Sequence, residues 1–223
     1  MRVLGIETST SQASAALVEA GRVVAHRAHL RPKQSAEQLL PMIAELLAEA
    51  GWSRTALDRI GVSVGPGSFT GLRVGIACAQ GLALGLGLPL VGVTSLQAMA
   101  RAVPDSIRGL RCPLLDARRG EVFAAAHDAG PRAAERLEPL ALPIERARET
   151  LLATLGEPLV WIGSGLSLLG AEPSFSSAAT NEPSAGAVGQ LAEELDPTLH
   201  PAIPVYVRDA GATLPDLGAP ARH

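Results

Sequence analysis

The sequence predicts an α/β protein whose mixed β-sheets are flanked by helices. Three observations predict it. The N-terminal part runs β-β-β-α-β-α-β-α, so three hairpin-linked strands lead into strand–helix units. A glycine-rich segment, Gly65-Pro66-Gly67-Ser68-Phe69-Thr70-Gly71, stands between a strand pattern and a helical one. The composition is 47% hydrophobic but only 3% aromatic, so Leu, Val, Ile and Ala must fill the core.

The elements follow in order. Residues 3–6 are a short apolar run ending in Glu7-Thr8-Ser9-Thr10-Ser11, which reads as a buried strand and a turn. Strands over 14–18 and 23–29 are joined through Glu19-Ala20-Gly21-Arg22, a loop suited to a hairpin. Residues 35–50 have helical spacing, with Leu39, Ile43, Leu46 and Ala50 on one face and Leu40 and Leu47 beside it. Ser35 and Gln38 have capping-box spacing, and Gly51 supplies the stop. A strand over 60–64, a helix from the glycine segment to about Leu86, and a strand over 89–93 come next. Ser95 is expected to cap a third helix reaching about Ala102.

A second half starts after Val103-Pro104-Asp105. Strands over 110–116 and 121–127 meet at Arg118-Arg119-Gly120. A helix over 144–155, a strand over 159–162, a Ser/Ala-rich surface loop over 174–184 and a helix over 185–195 follow. Residues 204–208 read as a final extended piece, and roughly the last ten as frayed. The expected lobes are therefore 1–104 and a smaller, divergent 105–223. Both open with a strand hairpin, which suggests a degenerate duplication.

Charge and motifs exclude several functions. Net charge is −3 and no basic run occurs, which argues against a chain that grips nucleic acid unaided. Cys78 and Cys112 lack metal-ligand spacing and read as buried small hydrophobes. None of His26, His29, His127, His200 and His223 falls in an HxxxH pair, and no Gly-x-Ser-x-Gly elbow occurs. The N-terminus lacks a signal-peptide pattern. The longest apolar stretch, 77–93, is broken by Gln80, glycines and Pro89, so it is expected to fall short of a membrane span. A cytoplasmic protein without membrane contact is expected.

Three features carry chemistry. The segment Gly65–Gly71 leads into a helix N-terminus, where Ser68 and Thr70 could cap the helix or bind phosphate oxygens. It is neither a Walker A loop nor a dinucleotide fingerprint, and a tight strand-to-helix turn is the plainer reading. In the helix that follows, Gly71, Gly75, Ala79, Ala83 and Gly87 recur every four residues. Such a smooth face lets another helix approach closely, either the helix over 35–50 or one from another chain. On the second alternative, Gly75→Leu or Ala79→Leu is expected to disrupt partner binding without unfolding the lobe. Lastly, Glu7 with Thr8, and Asp116 at a comparable strand end, could flank a cleft holding Mg²⁺ and a nucleotide. Ordinary strand-end turns are the plainer reading there too.

Four stretches together resemble the TsaB family: Ile6-Glu7-Thr8-Ser9-Thr10, Leu39-Leu40-Pro41-Met42-Ile43, Gly65-Pro66-Gly67-Ser68-Phe69-Thr70-Gly71-Leu72-Arg73-Val74-Gly75 and Leu115-Asp116-Ala117-Arg118-Arg119-Gly120-Glu121-Val122. Pro204-Val205-Tyr206-Val207-Arg208 matches more loosely. The resemblance implies two ribonuclease-H-like lobes of the actin/Hsp70/sugar-kinase superfold. It implies work in forming threonylcarbamoyladenosine beside the anticodon of ANN-decoding tRNAs. The role implied is that of a non-catalytic scaffold pairing with a TsaD-type catalytic subunit. A TsaE-type ATPase joins the two, the subunit alone forms a homodimer, and tRNA is met mainly through the complex. No catalytic residue and no metal ligand are carried over. The first two helices would make the partner contact, with Ser35, Gln38, Leu39, Met42, Gly71, Gly75, Ala79 and Ala83 as candidates. Glu7 stands where relatives often have Asp, and Ser35 where they often have His. Two rivals are an independent nucleotide-binding phosphotransferase or ATPase of the same superfold, using ATP or ADP with Mg²⁺, and a peptidase. In the first, Glu7, Thr8, Ser68, Thr70 and Asp116 would serve phosphate or metal.

Overall fold

Strand β1 (Arg2–Glu7) is the central strand of the first sheet and is nearly all buried. It pairs antiparallel with β2 (Ala13–Glu19), which pairs antiparallel with β3 (Arg22–His29). The β2–β3 turn places Ala20 at φ 51° and Gly21 at φ 74°, the left-handed pair that matches strand twist in a two-residue hairpin. On its other side β1 pairs parallel with β4 (Arg59–Gly65), and β4 with β5 (Leu90–Thr94). The order is β3-β2-β1-β4-β5. These elements belong to a computed structural model that describes residues 1–29, 35–130, 134–156 and 158–207.

The second sheet repeats the plan. Strands β6 (Leu110–Arg118), β7 (Glu121–His127) and β8 (Glu135–Pro143) form an antiparallel meander, and β9 (Leu159–Ile162) lies parallel to β6. Its order, β8-β7-β6-β9, mirrors the first four strands of the first sheet. Both sheets thus have ribonuclease-H-like topology. Strand β8 has no counterpart in the sequence reading. It is an edge strand holding Pro139 and ending at Pro143, and an edge tolerates the missing N–H groups that made the segment read as a loop.

Helices fill the layers around the sheets. Helix α1 (Ser35–Glu49) and α2 (Phe69–Leu86) cover one face of the first sheet. There Leu39, Met42 and Leu46 of α1 and Leu72, Ile76 and Ala79 of α2 meet Leu4, Ile6, Ile60 and Val62. Helix α1 stops at Gly51, whose φ is +67°. Helix α3 (Ser95–Arg101) lies between the sheets, with Ala98 in one core and Leu96 and Met99 in the next, against Leu115, Phe123 and Ile162. Helix α4 (Ile144–Leu155) covers the far side of the second sheet through Ala147 and Leu151. Thr94 rather than Ser95 caps α3, accepting from Gln97 N at 3.1 Å. Ser95 is the first helical residue, and its hydroxyl donates to Pro66 O at 2.6 Å instead. The expected surface loop over 174–184 contains a short helix, α5 (Ala178–Asn181), with a Ser177–Thr180 capping box and a buried Thr180.

The chain then returns to its beginning. Helix α6 (Ala185–Glu194) packs on β1, β2 and β4, where Val188, Leu191 and Ala192 cover Val3, Val18, Val91 and Val93. Glycine makes this approach close. A Cβ on Gly5 would overlap the Ala185 carbonyl and lie 2.8 Å from Gly189 N. A Cβ on Gly189 would sit 2.7 Å from Val18 Cγ2. Residues 201–207 then run along the same lobe outside any helix or strand, with a tight turn where Ile203 N donates to Pro201 O at 2.8 Å and with Val205 N donating to Val64 O at 2.7 Å. Arg208 and the final residues expected to fray lie outside the described residues. Helix α2 is, by length and composition, apolar enough to cross a membrane, contrary to the expectation drawn from the stretch 77–93. It gains that character by starting earlier, at Phe69, and its inward residues pack in the first core.

Adding a methyl group at Gly5 should lift α6 from the sheet. Gly5→Ala is expected to cost about 1–3 kcal/mol, the usual range for overpacking. Urea unfolding measures it, and an unchanged midpoint would mean that α6 is not seated on β1.

Candidate functional site: a cleft between the lobes and the outer face of two helices

The ends of β1 and β4 meet at the glycine segment. Ser68 N donates to Ser9 O at 2.6 Å, and a Cβ on Gly67 would overlap that same Ser9 carbonyl. Ser68 caps α2 by accepting from Gly71 N at 3.3 Å. Thr8 Oγ1 donates to Gly71 O at 2.8 Å. Gly71 and Gly75 leave room for Thr8, because a Cβ on Gly71 would meet its carbonyl and one on Gly75 its hydroxyl. The turn reading of the segment is therefore correct in detail: its glycines bring a helix onto the end of a strand.

Beside this junction a cavity of about 850 Å³ opens between the lobes. Ser9, Thr10, Ser68 and Phe69 line it from the first lobe, Asp116, Arg118, Ser164 and Glu182 from the second part of the chain, and Tyr206 from the returning segment. Ser164 Oγ donates to Glu182 Oε1 at 2.8 Å. Thr70 stands exposed on the first turn of α2.

The two expected carboxylates are not equivalent. Glu7 is 1% exposed, accepts from Ser9 N, and is not part of the cleft lining. Burial raises its pKa, opposed by the bond from Ser9 and reinforced by the charge of Glu182. Asp116 lines the cleft, but Oδ1 accepts from Arg118 N at 2.7 Å and Oδ2 pairs with Arg118 Nη1 at 2.9 Å. One carboxylate is sunk beneath the surface, where burial works against its charge, and the other is matched by a guanidinium within its own turn. This donor set does not fit a magnesium ion shared by Glu7 and Asp116. Among the described residues no group of three or more His, Cys, Asp and Glu could hold a metal. Cys112 is buried, which pushes its thiol up to about 12, and Cys78 is half-buried.

The structure places most of the expected partner contacts inward. Leu39 and Met42 are 1% and 2% exposed, held in the first core with Ala79 and Ala83. Gly71 and Gly75 abut Thr8, and Gln38 is half-buried. Ser35 begins α1, but its side chain lies outside the described residues. These positions build the chain's own lobe. The outward surface holds a second small-residue row on α2, Ala77, Gly81 and Gly85, all exposed. A Cβ on Gly81 or Gly85 would meet nothing within 4 Å. Leu84 is 86% exposed beside them, and Leu40 of α1 is 51% exposed. A four-residue spacing marks both rows equally, and only packing separates the inner one from the outer.

Two substitutions test these assignments. Gly75→Leu is expected to unfold the lobe, which circular dichroism would reveal as lost helix content. A folded Gly75→Leu protein would overturn the Thr8 contact. For Glu7 the folded pKa lies above the ordinary 4.5. Its share of stability is fully present below 4.5 and is lost as pH rises through the folded value. Glu7→Gln is thus expected to raise the urea midpoint at pH 7, with the gain shrinking towards pH 4.5. An equal gain at both pH values would exclude burial of the charge as its cause.

Comparison with known proteins agrees with this architecture. The family model described as TsaD, tRNA N6-adenosine threonylcarbamoyltransferase, matches residues 21–143. The tRNA threonylcarbamoyladenosine biosynthesis protein TsaB of Escherichia coli K12 is 42% identical over 128 residues, 57% of this chain and 55% of that protein. The protein of the same name from Haemophilus influenzae is 38% identical over 55% of this chain and 52% of its own length. The chain thus spans about half the length of these two relatives. Its counterpart in Bacillus subtilis is 28% identical over 95% of this chain and 96% of that protein. Among solved structures, YeaZ from Pseudomonas aeruginosa superposes with a TM-score of 0.77 at 28% identity, covering 92% of this chain and 99% of that one. A match over more than half the chain, joined to this likeness, places it in the family of TsaD-type tRNA N6-adenosine threonylcarbamoyltransferase proteins, as a member of the TsaB group.

Proposed function

We propose that this chain is a non-catalytic partner subunit in the synthesis of threonylcarbamoyladenosine beside the anticodon of ANN-decoding tRNAs. It works in the cytoplasm, where it binds and supports a TsaD-type catalytic subunit that a TsaE-type ATPase joins. It forms a homodimer when alone and meets tRNA mainly within the complex. The partner surface lies within residues 1–104. The observation that supports this reading is the outer face of α1 and α2. Leu40 and Leu84 are exposed there, and Gly81 and Gly85 sit mid-helix with open space before them. Glycine inside a helix costs about 0.5–1 kcal/mol relative to alanine, and among the described residues no contact returns that cost. A helix pair from another subunit, seated against the row of Ala77, Gly81 and Gly85, would return it.

A second reading draws on the cleft, whose volume would admit a nucleotide and whose lining mixes apolar side chains with polar ones such as Ser9, Thr10 and Ser68. In that reading the chain is an independent phosphotransferase or ATPase.

Light scattering on the purified chain, alone and mixed with a TsaD-type subunit, separates the two. A homodimer that gives way to a mixed complex is expected. Leu84→Glu is expected to weaken both associations at least tenfold while leaving the fold intact, because it places a charge in the centre of an apolar contact. Unchanged association in the folded variant would remove α2 from the interface. Magnesium-dependent ATP turnover by the chain alone, without association, would favour the second reading.

A further inference from the structure

We propose that the cleft between the lobes binds an organic monocation against the carboxylate of Glu182. The ligand is the ammonium or guanidinium head of a basic side chain, or of a small free amine. The contact goes beyond the scaffold role and does not rest on it. The charged side chains lining the cleft are Asp116, Arg118 and Glu182. Arg118 is held by Asp116, with Nη1 at 2.9 Å from Oδ2. Glu182 Oε1 accepts from Ser164 Oγ, and among the described residues no cation pairs with Glu182. The lining thus holds one carboxylate that no charge in it matches. Leu115, Phe123 and Val205 give the cleft apolar walls, and such walls focus the field of a charge on whatever enters. Ser9 points the same way. It lines the cleft yet is 1% exposed, and its hydroxyl has no hydrogen-bond partner among the described residues. An N–H donor of a bound cation would satisfy it. Glu7 lies close by, where the charge of Glu182 adds to the effect of burial in raising its pKa. A cation at Glu182 eases the repulsion between these two carboxylates.

The lip of the cleft favours an organic cation over a metal ion. Phe69 opens α2, Arg73 lies one turn along it, and Tyr206 arrives from the far end of the described chain. Phe69 and Tyr206 line the cleft, and neither enters any of the four hydrophobic cores. Their ring centroids are 5.2 Å apart and the rings are tilted by 36°. The Arg73 guanidinium carbon sits 3.8 Å from the centre of the Phe69 ring, and Arg73 Nε donates to the Tyr206 hydroxyl at 3.4 Å. The chain's own guanidinium shows what this aromatic pair attracts, since ring faces are negative and draw weakly hydrated cations. A volume of about 850 Å³ suits a small organic molecule or a side chain with its stem, and far exceeds what a bare ion fills. A nucleotide would bring phosphates, which the unmatched carboxylate repels.

The test is calorimetric titration of the whole chain at low salt. The cationic probes are butylammonium, for a free amine, and lysine blocked at both ends, for a basic side chain. Butanol, ADP and magnesium are the comparisons. Saturable binding of a cationic probe is expected, weakened by added salt. Glu182→Gln should weaken it about 10- to 100-fold, because the amide can still accept from Ser164 but gives up the charge. Tyr206→Leu should weaken it about 2- to 10-fold through loss of the ring face. Circular dichroism establishes that each variant is folded. Tighter binding of blocked lysine supports the proposal with another protein's side chain as the source, and tighter binding of butylammonium supports it with a free amine. Butanol bound as tightly as butylammonium would overturn it, leaving only an apolar pocket. ADP bound more tightly than either cation, or magnesium outcompeting butylammonium at equal concentration, would overturn it as well. So would the absence of cation binding, or a folded Glu182→Gln protein that keeps its affinity. Binding is read without the catalytic subunit, so failure of subunit assembly has no bearing on it.

Discussion

The structure depends on how thin β1 and its continuation are. At Gly5 the strand has no side chain between its backbone and that of α6, and at Thr8 it meets two glycines of α2. Helices therefore reach the same short stretch from opposite sides of the first sheet. An added atom at Gly5 or Gly71 would have to move a backbone, and one at Gly75 the buried side chain of Thr8. The glycine segment and the start of α2 are fixed by this contact, and with them one wall of the cleft and both exposed elements of the lip.

Much of the fold was legible in the residues. Among the described residues, alternation and apolar runs located eight of the nine strands, and helical spacing located every long helix, because those signals come from the burial of one face. The repeated topology of the two sheets was only hinted at by two hairpins, since no residues repeat along with it. Strand β8 was hidden by its prolines. The return of α6 to the first sheet was hidden for a different reason: Ala185 to Glu194 reads as an amphipathic helix whichever sheet receives it. Periodicity fixes which face is buried and says nothing about where.

The candidate sites show the same division. The four-residue rhythm on α2 reported small residues faithfully but belonged to two rows at once. The inner row, with Gly71 and Gly75, serves the fold, and the outer row, with Gly81 and Gly85, faces solvent. Likewise Glu7 and Asp116 do stand near comparable strand ends, yet burial takes the first out of the cleft and Arg118 matches the second. Phe69, Arg73 and Tyr206 could not have been grouped from sequence, because 133 positions separate the arginine from the tyrosine and no periodic pattern links them.

The homecoming of α6 bears on the order in which the chain is made. Val3, Val18, Val91 and Val93 form one apolar face, and their cover is synthesised some ninety residues after the last of them. Each such side chain is worth about 1.5–3 kcal/mol when buried, so the bare face forgoes an amount comparable to the whole stability of an ordinary domain. On the ribosome the first sheet must therefore wait, incomplete and adhesive, while the entire second sheet emerges. Fidelity of folding during translation rests on α6 arriving before another molecule finds that face.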